Sequence, residues 1–324
     1  MQWWAPRAVH AGPGSFGAAL AVASYHIPVL LDEITQLAQY RRRIADCTVG
    51  GGGHAARMLR EGVALLAIDR DPDALAAAQQ RLGKDAAHWL NLDFSDPRAL
   101  AAVDRFRPDF VLLDLGVSGH QLDQPRRGFS FRPGTELDMR MTPGVGPAAA
   151  ELLRDLDQKQ LDHIFRVFGD ERRSRRLAAT IVRRRRRRDL ATSDDLVNAI
   201  RAALGPRTGP ADFARLFQAL RIAVNGELEA LEAALPSLVG SLIGGGAIAI
   251  VSYHSGEDRI VKHYFREWGK ECVCPPGVPV CQCRGRPLGR VEPRRPVRPS
   301  PAEVAANPRA RSAKLRVFHK TDES

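Results

Sequence analysis

The sequence predicts an α/β fold: an open, mostly parallel, Rossmann-like sheet interrupted by an all-helical insertion. Three observations predict it. Asp46-Cys47-Thr48-Val49-Gly50-Gly51-Gly52-Gly53-His54 follows the apolar pair Ile44-Ala45 and precedes the helix formers Ala55-Ala56-Arg57-Met58-Leu59, which reads as strand, glycine loop and helix. Asp109-Phe110-Val111-Leu112-Leu113-Asp114-Leu115-Gly116 contains a continuous apolar run closed by a carboxylate, the pattern of a strand covered on both faces. From about residue 140 to 225 the period becomes helical and no strand pattern interrupts it.

The elements follow in order. Residues 25–33 lead into a short helix, then the first strand and the glycine loop. Ala64 to Ile68 is a second strand ending in Asp69, and Asp71-Pro72-Asp73 opens a helix through Leu82, with proline in the first turn where its missing N–H costs nothing. His88 to Phe94 reads as a third strand and the Asp109 run as the fourth. Helices are expected over Ala149–Leu156, Gln158–Phe168, Glu171–Arg188, Ser193–Leu204, Asp212–Val224 and Glu227–Leu242. Ala247 to Tyr253 is a fifth strand, Ile260 to Trp268 a helix, residues 284–311 a loop rich in Pro and Arg, and Lys314 to Phe318 the last strand. The chain therefore divides into an extension, 1–24, expected to be disordered; a sheet domain, 25–139 and 226–324; and a helical domain, 140–225.

A formal net charge of +11 points to a polyanionic partner, most simply nucleic acid. Five cysteines in 324 residues make no disulfide framework, and no apolar run is long enough for a membrane span, so a cytoplasmic chain without membrane contact is expected. Ala18 to Ala23 is apolar but too short for a span and follows Gly and Pro, unlike a secretory signal.

The glycine loop suits a nucleoside cofactor. Glycines let the backbone approach a ligand closely, and an acidic residue roughly 20 positions on, here Asp69, is placed to accept two ribose hydroxyls. Phe94, just past the third strand, is a candidate to flank an adenine ring, and Asp114 stands at the strand edge where ligands bind in such sheets. A dinucleotide fingerprint wants G-x-G-x-x-G, which the loop fits only loosely, with Ala55 in the last place. The opening Asp46 and Thr48 are closer to the first motif of class I S-adenosylmethionine-dependent methyltransferases. A NAD-dependent oxidoreductase is the alternative on this motif, and a non-catalytic nucleic-acid-binding protein a third reading.

Two further clusters stand out. Arg183 to Arg188 are six consecutive arginines, with Arg172, Arg173, Arg175 and Arg176 shortly before. They are either a solvated surface or a basic face for phosphates; on a helix, Arg184 and Arg188 would share that face. Cys272, Cys274, Cys281 and Cys283 form two C-x-C pairs, tighter than the usual C-x₂₋₄-C of zinc sites; free thiols are the first reading and zinc the second.

The full set of motifs resembles one family. His26-x-Pro28-Val29-Leu30-Leu31-x-Glu33, the Thr48-to-His54 loop, Ala67 to Asp71, Leu113 to Ser118, Gln121-Leu122-Asp123, Arg127 to Phe131, Leu137 to Met141, Phe217 to Leu228, Ser252 to Arg259 and Asn307 to Ser312 occur in the order of the bacterial 16S ribosomal RNA cytosine-N4 methyltransferases, the RsmH or MraW family. They cover about residues 25–318. The resemblance implies a class I methyltransferase sheet with S-adenosylmethionine bound by Gly52, Gly53, His54, Asp69, Phe94, Asp114 and Gln121. It implies methyl transfer to the exocyclic amine of one P-site cytosine, with 16S ribosomal RNA or the small ribosomal subunit as partner. It leaves the oligomeric state open, a dimer included. Asp114 and His254 are the candidate catalytic groups, Arg127, Phe129 and Arg140 candidate RNA contacts beside the arginine run, and Tyr253, Phe129 or Phe131 candidates to stack on an unstacked base. This chain departs from the family in having Gly119-His120 where Ser-Pro is usual and Val49-Gly50-Gly51 where Phe-Gly-Arg is common.

Overall fold

The computed structural model describes residues 28–275 and 280–322; the expected extension 1–24 lies outside them. The chain divides into two compact units, one formed by the segments up to Gly116 and from Ala230 onward, the other by Val117–Glu229.

The first unit is built on seven strands: β1 (Arg43–Asp46), β2 (Ala64–Asp69), β3 (His88–Asn91), β4 (Phe110–Asp114), β5 (Ala247–Ser252), β6 (Gly289–Val291) and β7 (Lys314–Lys320). Their order across the sheet is β3-β2-β1-β4-β5-β7-β6. The first five run parallel, and β7 lies antiparallel to both β5 and β6. This is a doubly wound sheet, and its physical basis is the alternation of side chains along each strand. Ala45, Leu66, Ile68, Val111, Leu113, Ile248 and Ile250 enter one buried cluster. Ile44, Leu65, Ala67, Phe110, Leu112, Ala249 and Val251 enter another. Both faces are covered, so the strands read as unbroken apolar runs.

The helices before the second unit are α1 (Leu31–Ala38), α2 (Gly53–Met58), α3 (Pro72–Leu82) and α4 (Pro97–Phe106). Each of the last two begins at an aspartate whose side chain accepts a backbone N–H two residues on, with proline in the first turn. The second unit holds α5 (Gly119–Asp123), α6 (Ala149–Asp155), α7 (Gln158–Val167), α8 (Ser174–Arg185), α9 (Ser193–Leu204) and α10 (Pro210–Asn225) around a core that includes Leu153, Phe165, Leu177, Ile181, Leu196, Ile200, Leu216 and Leu220. This unit starts at Val117, well before the change of period near residue 140, because Phe129, Leu137, Met139 and Met141 of its irregular first stretch are buried in the same core. Asn225 fastens that stretch: its amide oxygen accepts the Met141 N–H at 2.8 Å and its amide nitrogen donates to the Met139 carbonyl at 2.8 Å.

The chain returns through α11 (Glu227–Ser241), then α12 (Ser255–Trp268) and α13 (Pro301–Ala306). Two expectations are corrected here. The helix read from Ile260 begins at Ser255, and residues 284–311 are not all loop, since they contain β6, α13 and a 3₁₀ turn at Pro308–Ser312. The start of α13 had a local signal: Ser300 accepts the Glu303 N–H, with Pro301 at the first position. The three residues of β6 had none, being a strand only through their pairing with β7.

Candidate functional site

The carboxyl ends of β1, β2 and β4 carry Asp46, Asp69 and Asp114. From β1 the sheet winds outward to β2 and β3 on one side and to β4 and β5 on the other. The crevice beyond such a switch point is where open α/β sheets bind ligands. The glycine loop leaves β1 at that point.

Three of the four glycines in the loop have a reason of their own. Gly50 and Gly52 have φ of 52° and 75°, in the left-handed region that side chains resist. A Cβ on Gly53 would overlap the Pro28 ring. Residues 28–30 are thus packed onto the loop, and two further contacts hold them. His54 Nε2 donates to the Val29 carbonyl at 3.0 Å, and the Leu30 N–H donates to Glu303 Oε1 at 2.7 Å. The Asp114 N–H donates to Thr48 Oγ1 at 2.6 Å, which ties the loop to β4.

Asp69 closes the other side. Its Oδ2 accepts the Gly50 N–H at 2.8 Å and its Oδ1 the Asp71 N–H at 2.9 Å, so the carboxylate is fixed in direction while each oxygen keeps a second lone pair. Desolvation pushes its pKa up to about 6 against the pull of those two N–H groups. Asp46 is buried and accepts a long bond from the Thr48 N–H, 3.3 Å. Burial first, then the nearby Asp114 and Asp69 charges, push its pKa up to about 8. The site is therefore short of positive charge and favours a cationic ligand.

Asp114 is the third carboxylate. Its Oδ1 accepts the Tyr253 hydroxyl at 2.8 Å, and its Oδ2 lies 3.7 Å from His54 Nδ1. Burial and the Asp114 charge hold the Tyr253 phenol well above its ordinary value, so it remains a donor. His254 caps the helix that follows it. Its Nδ1 accepts the Gly256 N–H at 3.2 Å as the N-cap of α12, and its Nε2 faces Glu257 Oε1 at 3.2 Å. Glu257, itself buried, accepts the Tyr253 N–H through Oε2 at 2.8 Å. The Ser252-to-Glu257 motif is thus a reciprocal helix cap whose product is the placement of Tyr253.

Residues 23–321 match the MraW methylase family. The chain belongs to that family. It is 52% identical over 301 residues to the ribosomal RNA small subunit methyltransferase H of Gemmatimonas aurantiaca, covering 91% of this chain and 95% of that protein. The enzyme of the same name from Heliobacterium mobile is 44% identical, covering 91% of this chain and 99% of its own. That of Myxococcus xanthus is 44% identical, covering 91% and 97%.

As an MraW methylase the chain is a methyltransferase, and its methyl donor is S-adenosylmethionine. The residues present fit that group. S-adenosylmethionine carries a sulfonium and an ammonium, which the Asp114 carboxylate, and Asp69 and Asp46 as they ionise, favour. Family membership retires the NAD reading and the reading without catalysis. Phe94 lies beyond β3, half-buried with one side packed on the core. Gln121 belongs to the second unit, where its Oε1 accepts the Ser118 N–H at 2.9 Å; α5 forms despite Gly119-His120.

The residues expected to meet RNA fare differently. Arg127 is buried and donates to the Arg140 and Met141 carbonyls at 3.2 and 2.8 Å, and Phe129 is 7% exposed in the core. Both are packed into the irregular stretch and present little surface to solvent. Arg140 is held by Asp138, with Nε 3.0 Å from Oδ1. The helix read as far as Arg188 ends at Arg185, although the Arg188 N–H still donates to the Arg184 carbonyl at 3.2 Å, one turn back. Like-charge repulsion along the run opposes further turns. Arg185 is engaged, donating to the Leu153 and Leu156 carbonyls at the end of α6 at 2.8 and 2.6 Å. Arg183, Arg184, Arg186, Arg187 and Arg188 are exposed. Among the described residues no helix is long and apolar enough to cross a membrane.

Proposed function

We propose that the protein methylates the exocyclic N4 amine of one cytosine in the P-site region of 16S ribosomal RNA, acting on that RNA or on the small subunit. The observation that carries this is Asp114, held by Tyr253 at the carboxyl edge of β4 beside the glycine loop, in a chain 52% identical to a small-subunit ribosomal RNA methyltransferase. S-adenosylmethionine supplies an electrophilic methyl on a sulfonium. Gly52 and Gly53 let the backbone approach it, Asp69 accepts the ribose hydroxyls, Phe94 flanks the adenine, and His54 completes the cofactor side. A cytosine amine is a weak nucleophile because its lone pair is delocalised into the ring. Asp114, accepting the amine's hydrogens, localises that lone pair in the transition state. Tyr253 is a positioning residue: its hydroxyl aims the carboxylate, and its protonated state keeps it from competing as a base. Mass mapping of small-subunit RNA from cells with and without the gene tests the target directly. A lesion at any nucleotide other than a P-site cytosine would sink the assignment.

Tyr253→Phe removes one hydrogen bond to a charged acceptor, about 1.5–3 kcal/mol. The expected result is a fall in turnover of about 10- to 100-fold with S-adenosylmethionine affinity little changed. A loss of affinity at unchanged turnover would move Asp114 and Tyr253 to cofactor binding alone.

The exposed arginines after Arg183 are the proposed phosphate grip. Replacing Arg184 and Arg188 with Gln should weaken RNA binding and lower the slope of log affinity against log salt by about one per lost contact. Cofactor affinity should stay as it is. Equal slopes for variant and wild type across a salt series would leave the run a solvated surface.

A further inference from the structure

We propose that Cys272, Cys274, Cys281 and Cys283 form a structural zinc site, independent of the methyl-transfer reading. Their four sulfurs lie within 4.8 Å of one another. Cys281 Sγ is 3.8 Å from Cys272, 3.9 Å from Cys274 and 3.4 Å from Cys283, and Cys272 to Cys283 is 3.9 Å. A tetrahedron of thiolates with zinc–sulfur bonds of about 2.3 Å has edges of about 3.8 Å, close to three of these four separations, so the sulfurs are gathered nearly as zinc requires. Disulfides would need pairs near 2.05 Å, and all four thiols are free. An iron–sulfur cluster spreads its cysteines around several metal atoms and needs a wider cage.

The backbone supports the same reading. Val273, between the first two cysteines, donates its N–H to Cys283 at 3.3 Å, and Gln282, between the last two, donates to Cys274 at 3.4 Å. Each C-x-C pair thus gives its middle N–H to a sulfur of the other pair. Such donors offset thiolate charge, and the crossing geometry explains why the tight spacing works here. The segment is anchored at its base, where the Arg284 guanidinium donates to the Glu267, Trp268 and Lys270 carbonyls at 2.8, 3.2 and 3.1 Å. The Leu288 N–H also donates to the Trp268 carbonyl at 2.8 Å. Four thiolates fill every coordination position, which leaves no place for water or substrate and makes the site structural. Binding releases four protons as four thiols become thiolates on Zn²⁺, with no change of oxidation state.

The test uses the full-length protein purified without chelator. Elemental analysis should find about one zinc per chain, and replacement by Co²⁺ should give the visible absorption and thiolate charge-transfer bands of a tetrahedral site. A thiol reagent should modify four more cysteines after chelation than before, and the melting temperature should fall by about 2–4 °C. Cys281→Ser should lose the metal while still binding S-adenosylmethionine; if that variant does not fold, cobalt titration of wild type decides. Zinc-free protein from zinc-replete cells, with no cobalt bands and all four thiols reactive or joined in disulfides, would overturn the proposal.

Discussion

Asp69→Ala is expected to abolish measurable S-adenosylmethionine binding. Two charge-assisted hydrogen bonds from ribose hydroxyls are worth about 3–6 kcal/mol together, at 1.5–3 each. That corresponds to roughly 10²- to 10⁴-fold in affinity. The structure adds a second source of loss, because Asp69 also accepts the Gly50 and Asp71 N–H groups and so sets the direction of the loop. Asp69→Asn separates the two. It keeps one oxygen acceptor and the shape of the side chain, and should fall between wild type and Asp69→Ala. Calorimetric titration with S-adenosylmethionine, beside a thermal melt to show that each variant is folded, makes the comparison. Near wild-type affinity in folded Asp69→Ala would remove Asp69 from the cofactor site.

The second large effect belongs to Asp46. Its pKa in the folded protein is raised from an ordinary 3.8 to about 8, by burial above all. Between those values the native state holds a proton that the unfolded chain has released. Stability of the cofactor-free protein therefore falls as pH rises from about 4 to about 8, by up to about 1.4 kcal/mol per pH unit from this group. Asp46→Asn cannot ionise and should flatten the curve, leaving the variant more stable than wild type near pH 8 by a few kcal/mol. Cofactor affinity should move the other way. A cationic ligand prefers the ionised carboxylates, so wild-type affinity should rise with pH through the range in which Asp69 and then Asp46 ionise. Thermal melts from pH 5 to 8 decide the first part: superimposable pH dependence in wild type and Asp46→Asn would mean that Asp46 is ionised throughout.

Much of this site is legible in the sequence because its signals are local. A carboxylate after an apolar run marks a strand end, and glycines after such an end mark a close backbone approach. Asp46, Asp69 and Asp114 each close one of the parallel strands. What the sequence conceals is partnership across distance. Arg127 has the residue type of a phosphate contact, yet its acceptors are carbonyls more than ten positions away. His254 resembles a catalytic base, and only the α12 backbone shows it to be a cap. Tyr253 was legible as an aromatic near the strand end, but its hydroxyl contact with Asp114 spans 139 positions. The arginine run shows the reverse: composition extends the helix to Arg188, and the helix ends at Arg185.

β4 lies between β1 and β5 in the sheet, and the whole second unit separates β4 from β5 in the chain. During synthesis β1 to β4 emerge first, with the β4 edge lacking its partner until α11 and β5 have followed. The intervening unit has its own buried core, so it can condense in the meantime and shorten the effective loop that β4–β5 pairing must close. Closure is then completed by β7, the last strand to appear, which covers the open edge of β5 and takes β6 on its other side. A substitution that destabilises the helical core, such as Phe165→Ala, should therefore slow the assembly of a sheet to which Phe165 does not belong, and lower the yield of folded enzyme before it lowers the activity of each folded molecule.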